Sequence, residues 1–198
     1  ELIPTLDNML AQAQSPKDLK ICICWQHDDS EDLSKYENDS RFLIIDVPHK
    51  EAKGVCWARN LIQKQFEGED YILQLDSHHR FIKNWDSTLK RKLNSLKKKG
   101  IEKPILSSYL PGYDPNNDPK GRVKENWRLC FDRFMPEGAV FLRPAHIPAG
   151  KKGMERGSFI SGHMVFADGH YYENVMYDPK LYFHGEETSL GVRAFTHG

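Results

Sequence analysis

Three short stretches of this sequence carry side chains suited to chemistry. Asp76-Ser77-His78 follows the apolar run Tyr71-Ile72-Leu73-Gln74-Leu75. An acid and an imidazole two residues apart share a face on a regular strand, and at a strand end both can turn towards one ion. Oxygen plus nitrogen ligation suits Mn²⁺ well, with Zn²⁺ as an alternative, whereas Mg²⁺ and Ca²⁺ prefer oxygen throughout. The same triplet also fits an aspartate that caps the next helix and a histidine in solvent. Arg59, in the stretch Gly54 to Asn60, offers a planar fork for a diphosphate or for the carboxylate of Asp76. A salt bridge that only ties helix to strand is its alternative. Gly185-Glu186-Glu187 places two acids after a glycine turn and before a helical pattern, where the helix dipole favours them even without a further role. His197 is a candidate third ligand, in competition with His163, His170 and His184 among nine histidines.

The elements that must position these groups follow from apolar spacing. Leu2, Ile3, Leu6, Met9, Leu10 and Ala13 recur at helical intervals with Pro4 in the first turn, which predicts an opening helix. Lys20 to Trp25 and Arg41 to Val47 read as buried strands, separated by the acidic, polar stretch Gln26 to Ser40, read as a loop. Val55, Ala58, Ile62 and Phe66 predict a helix ended by Gly68, and Tyr71 to Leu75 a strand. Trp85, Leu89, Leu93 and Leu96 predict a surface helix ended by Gly100, whose Lys97 to Lys99 complement its dipole. Pro104 to Tyr109 and Gly138 to Arg143 are further strand candidates, and 159–167 is an apolar stretch around Ser161-Gly162-His163. Turn-rich residues 111–119 and the basic, glycine-bearing residues 149–157 read as loops, and Glu186 to Ala194 as a helix. Alternation of helices with strands too apolar to be one-faced argues an α/β domain with a mainly parallel sheet covered on both sides.

A chain of 198 residues with 39% apolar content fits one domain with a sizeable core. Lysine plus arginine equals aspartate plus glutamate at 28 each, so no global field recruits nucleic acid or an anionic membrane. No run reaches the length of a membrane span. Four cysteines lie in apolar patterns without metal spacing, which favours free thiols and a reducing, cytoplasmic compartment.

Taken in order, Gly54 with Ala58-Arg59-Asn60, the strand ending in Leu75-Asp76-Ser77-His78, and Gly185-Glu186-Glu187 resemble nucleotide-sugar glycosyltransferases of the GT-A fold. More narrowly, the set is similar to the cytoplasmic N-acetylglucosaminyltransferase family that modifies hydroxyproline on Skp1. Asp-Ser-His also resembles the metal motif of the polypeptide N-acetylgalactosaminyltransferases, whose later Gly-Gly-Glu-Asn segment is similar to Gly185-Glu186-Glu187-Thr188. The resemblance covers nearly the whole chain. It implies a Rossmann-like, mainly parallel sheet flanked by helices and a metal-dependent, retaining transfer of GlcNAc from a UDP-sugar to a protein or glycan hydroxyl. Within it, Asp76, His78 and His197 hold Mn²⁺ against the diphosphate, and Arg59, Asp76 and Ser77 face the nucleotide-sugar. Gly162 lets a sugar approach the backbone, and Glu186 and Glu187 are the catalytic candidates beside donor and acceptor.

GT-A domains begin with a strand that has no counterpart before the helix opening at Glu1. The expectation is therefore a catalytic domain over 1–198 that lacks its first strand and is trimmed at the N-terminus, with the C-terminus open to the same reading. Two other readings compete. A metal-dependent phosphoester hydrolase would use Asp76, His78 and another histidine to activate water, but no second compact ligand cluster is present. A catalytically inactive sugar- or nucleotide-binding domain would use the same scaffold without turnover.

Overall fold

The two apolar runs near the N-terminus pair side by side in the computed structural model, which describes residues 1–28, 30–147 and 154–198. Helix α1 (Leu2–Gln12) turns its buried Leu6 and Met9 inward and leads through a single 3-10 turn into β1 (Ile21–His27). β2 (Phe42–Pro48) runs parallel to β1, in register from Ile21 opposite Phe42 to His27 opposite Pro48. The polar connection between them is more than a loop. It contains a one-turn helix, α2 (Ser34–Glu37), fixed because Leu33 and Tyr36 are buried and the Tyr36 hydroxyl donates to Asp7.

Helix α3 (Val55–Gln63), strand β3 (Tyr71–Leu75) and helix α4 (Trp85–Lys97) follow where the spacing predicts them. The strand candidate at 104–109 shrinks to β4 (Leu106–Ser107), the length over which it finds a partner. β5 (Trp127–Phe134) and β6 (Val140–His146) form an antiparallel ribbon with an irregularity between Phe131 and Arg133. β7 (Met164–Asp168), the short helix α5 (His170–Asn174) and α6 (Glu186–Thr196) complete the order. The basic loop predicted over 149–157 falls largely outside the described residues.

The expectation of a mainly parallel sheet needs correction. Among the described residues, parallel pairing is confined to β1 and β2; β7 lies between β3 and β4 and is antiparallel to both. Its direction follows from the register, in which Met164 opposes Leu75 and Asp168 opposes Tyr71. The consequence is functional: the residues just before β7, Ser161-Gly162-His163, arrive beside the C-terminal end of β3, where Asp76 stands.

β3 is covered on both faces, as its apolar composition requires. Ile72 faces a core with Cys56 of α3, Val165 and Ala167 of β7, Tyr177 and Leu190 of α6. Leu73 and Leu75 face a second core with Leu6 and Met9 of α1, Ile23 of β1, Phe81 and Trp85. Asp86 locks the second layer by accepting from the backbone N–H groups of Gln14 and Ser15 at 2.9 Å each. All four cysteines are free. No helix among the described residues is long and apolar enough to cross a membrane.

Candidate active site

Arg59 is where the site is built. It projects from α3, whose first turn is pinned because the Val55 N–H donates to the Tyr182 carbonyl at 3.1 Å. Gly54 permits that approach: its φ is 97°, and a Cβ there would lie 2.4 Å from the Tyr182 oxygen. The segment before α6 is thus fastened to the start of α3, and this brings Glu186 to Arg59.

The Arg59 side chain, 9% exposed, makes five hydrogen bonds. Nη1 donates to both oxygens of Glu186, at 2.9 and 2.8 Å, and to the Tyr177 hydroxyl at 3.2 Å. Nη2 donates to Asp76 Oδ1 at 2.6 Å and to the Gly162 carbonyl at 3.0 Å. Burial works against the guanidinium charge, but Tyr177, Glu186 and Asp76 outweigh it, so the pKa of Arg59 is raised. Cys56 adds its thiol to Glu186 Oε2 at 3.4 Å, and burial pushes that thiol up to about 12.

Gly162 closes the ring. Its carbonyl accepts from Arg59 and from Gln74 Nε2 at 2.8 Å, and its N–H donates to Glu187 Oε1 at 2.9 Å. A Cβ on Gly162 would fall 2.4 Å from Glu186 Oε1 and 2.9 Å from Arg59 Nη1. The close approach that demands glycine is therefore made by Glu186 and Arg59 in this structure. Burial raises the carboxyl pKa of Glu187, against the pull of the Gly162 N–H.

Asp76 is held through Oδ1, and its side chain remains 24% exposed. Ser77 and His78 are exposed next to it, and the Ser77 carbonyl accepts from the Thr5 hydroxyl at 2.8 Å. His79 turns inward and His163 lies half-buried nearby, with ring centroids of His78, His79 and His163 between 5.3 and 6.5 Å apart. Tyr109 stacks on His163 at 4.1 Å. Burial lowers the pKa of both inner imidazoles, His79 to about 4.

Arg59, Asp76, Gly162, Glu186 and Glu187 thus share one cluster, with Ser77 and His78 at its rim. His197 does not join them. It caps the far end of α6, 11 residues or about 16 Å along the helix from Glu186, and lines a small cavity with Lys103, Asp168 and Tyr171. Asp168 pairs with Tyr71, so that cavity sits at the opposite end of β3 from Asp76. Among the described residues no group of three or more His, Cys, Asp or Glu side chains is arranged to hold a metal ion unaided.

Sequence reasoning missed Gln74, Tyr177, Cys56 and His79, and it names His163 only as a competitor of His197 for the third ligand position. Gln74 had a signal, since it is an amide interrupting an apolar strand, and its buried side chain bonds both Gly162 and Tyr177. Tyr177 had none; it ends the short apolar run Val175-Met176-Tyr177, which is too short to show a period, and is buried through contacts distant in sequence.

Acids gathered around one arginine at the carboxyl end of a strand, beside a backbone glycine and an exposed imidazole, form an arrangement chemically suited to polar, phosphorylated or hydroxyl-rich groups on an α/β scaffold. The chain belongs to the GlcNAc glycosyltransferase family, whose model, described as Glycosyltransferase (GlcNAc), matches residues 35–198. The matched span contains Arg59, Asp76, His78, Gly162, Glu186 and Glu187. No curated protein and no solved structure matches the chain.

Proposed function

We propose that this glycosyltransferase moves N-acetylglucosamine from UDP-GlcNAc to a hydroxyl of a protein or glycan, with retention of configuration and with Mn²⁺ bound at Asp76 and His78. The observation that carries the reading is the charge balance of the Arg59 cluster in a member of a GlcNAc transferase family. Asp76 and Glu186 outnumber the one guanidinium between them. A diphosphate brought to this end of β3 meets net negative charge unless a cation accompanies it. The donor set fits: Asp76 has engaged only Oδ1 among the described residues, and the His78 imidazole beside it is exposed. With two protein ligands, phosphate oxygens would complete the coordination. Bound there, the ion supplies neutralisation of the charge that develops on the departing diphosphate.

The protein's own groups divide the remaining work. Arg59 fixes the Asp76 carboxylate in one orientation. Glu186, engaged at both oxygens by Arg59, is a positioning residue rather than a free base. Glu187, with its raised pKa, is available to hydrogen-bond donor-sugar or acceptor hydroxyls. In the transfer, the bond from the anomeric carbon to the phosphate oxygen breaks and the acceptor oxygen bonds to that carbon. The acceptor proton passes to the departing phosphate, so no side-chain base is required. Helices on both faces of β3 and the parallel β1–β2 pair support a GT-A-type domain over 1–198. The four free thiols suit the cytoplasm.

Calorimetric titration with UDP tests the reading. Binding should require Mn²⁺, and Asp76→Asn and His78→Ala should each abolish the Mn²⁺-dependent part while unfolding remains cooperative. Wild-type affinity in either variant would place the site elsewhere, and Mn²⁺-independent UDP binding would remove the cation from the scheme.

A further inference from the structure

The face that β1 and β2 turn towards α2 is apolar in the middle and acidic at its rim. Phe42, Ile44 and Asp46 alternate along β2, and Trp25 of β1 lies opposite Asp46. With Glu37, the last residue of α2, these side chains line an open cavity of about 270 Å³. That is below the range of about 300–1,000 Å³ of pockets that enclose a whole small molecule, and it suits a side chain of a larger partner.

Charge narrows the choice of partner. Between residues 28 and 41 the two cations are already engaged, Lys35 by Asp7 and Arg41 by Asp39. Asp28, Glu31, Asp32 and Glu37 make no ion pair among the described residues. Asp46 meets His27 Nε2 through Oδ1 at 2.8 Å, and its side chain is 67% exposed. Carboxylates in excess around an apolar groove repel phosphate and attract cations. Among the described residues no such group is arranged to hold a metal ion, so the cation in question belongs to an organic partner. The edge of the sheet supplies the third observation. β2 bonds to β1 on one side, and among the described residues no strand bonds to the other. Its proline, Pro48, is the last residue and leaves the donors along the edge in place. An open edge of this kind is a template for an extended chain.

We propose that the groove and the open edge of β2 receive a basic, extended segment of a protein partner. The segment adds as a strand beside β2, and alternate side chains then fall on the face of Phe42, Ile44 and Asp46. A lysine or arginine at that place lays its aliphatic stem on Phe42, Ile44 and Trp25 and brings its charged head to Glu37 and Asp46. A neutral sugar would leave the carboxylates without a counter-charge. A second copy of this chain brings no excess of positive charge, with 28 cationic and 28 anionic side chains. Lys20, just before β1, bridges Glu67 and Glu69, just before β3, so both strands start at one end. Trp25 and Asp46 therefore lie towards the end of the domain that carries Asp76, and a docked segment reaches the side where transfer takes place. To that extent the inference rests on the proposed transfer to a protein hydroxyl, while docking itself is measured without donor, metal or turnover.

The probe is a labelled peptide of alternating lysine and valine that matches β2 in length, seven residues. Control peptides replace lysine by glutamate or carry proline at two central positions. Fluorescence anisotropy should show saturable binding of the lysine peptide alone, weakened about tenfold or more between about 0.05 and 0.3 M salt. Exchange of the β2 amides not bonded to β1 should slow when it binds. Glu37→Gln combined with Asp46→Asn should weaken binding about tenfold or more at an unchanged unfolding midpoint. If that midpoint falls, Glu37→Gln alone, at an exposed position, carries the comparison with an expected loss of about threefold. Equal affinity in wild type and variants, equal binding of either control peptide, or no saturation below about 1 mM would overturn the proposal. Protection of the same amides without peptide, appearing together with a dimer in gel filtration, would give the edge to a second copy and overturn it equally. Failure of UDP to bind the same protein would strike the transfer scheme and leave the docking result standing.

Discussion

Replacing Arg59 by methionine tests the central arrangement of the site. Arg59 and Glu186 are 7% and 8% exposed, and the guanidinium contacts both Glu186 oxygens. Methionine retains much of the apolar stem but leaves Glu186 buried with only the Cys56 thiol at 3.4 Å, and it removes the partner of Asp76 as well. Breaking a buried ion pair in this way costs about 3–5 kcal/mol, against a whole-domain stability of about 5–15 kcal/mol. With a urea dependence of about 2 kcal/mol/M, the unfolding midpoint should fall by about 2 M.

The sharper measurement is the cycle with Glu186→Gln. On its own, Glu186→Gln loses charge-assisted hydrogen bonds worth about 1.5–3 kcal/mol. In the Arg59→Met background the same change removes the uncompensated charge. The double variant should therefore be more stable than Arg59→Met alone, and its loss should fall short of the sum of the singles by at least about 2 kcal/mol. Urea midpoints of the four proteins decide the matter. Additivity within about 0.5 kcal/mol would mean that the two residues do not share a buried site, and the reasoning from the ring of contacts would fail with it.

Gly162→Ala should destabilise by about 1–3 kcal/mol and weaken Mn²⁺-dependent UDP binding, because its Cβ would press on Glu186 Oε1 and Arg59; wild-type stability and affinity would contradict that packing. His79 supplies a pH test: burial takes its pKa from 6.5 to about 4, so the folded state binds this proton less readily than the unfolded chain. The stability linked to this group is therefore undiminished above about pH 6.5, falls progressively between about pH 6.5 and 4 by about 3 kcal/mol in total, and levels off below that, and His79→Asn should flatten that part of the profile measured by urea unfolding.

Asp76 and Glu186 stand out in the sequence because each is a charged group placed where an apolar pattern stops or starts, whereas Arg59 lies inside the helical pattern of Val55 to Phe66 and stands out only by its place on the helix before the Asp76 strand. Such boundaries are local, and so are the helices and strands that create them. What spacing could not supply is direction and distance. An apolar run at 159–167 says strand, but nothing in it says that β7 runs antiparallel between β3 and β4, since that choice depends on partners 58 to 97 positions away. The same limit explains His197. Its residue type suits ligation, yet the length of α6 carries it away from Asp76, whereas His163, brought in by the antiparallel entry of β7, stands beside His78. β5 was hidden for another reason: Arg128, Asp132 and Arg133 break its alternation, and the ribbon is held by pairing with β6 instead.

The Arg59 cluster is a poor device for stability alone. Two acids and an arginine taken out of water cost several kcal/mol each before their attraction is counted, and apolar side chains of similar volume would commonly do as well. The geometry is also uneven in a way that structure alone does not require. Glu186 is saturated by Arg59, Glu187 is buried enough to raise its pKa, and Asp76 gives one oxygen to Arg59 while its side chain stays partly open. Such a gradient, closed at the back and open beside His78, is what a site needs if its inner acids are to hold an outer one ready for a cation and a diphosphate. The antiparallel β7 then matters for function: it delivers the Gly162 carbonyl and N–H to two different members of the cluster, so Arg59 and Glu187 are positioned by the backbone of the sheet itself.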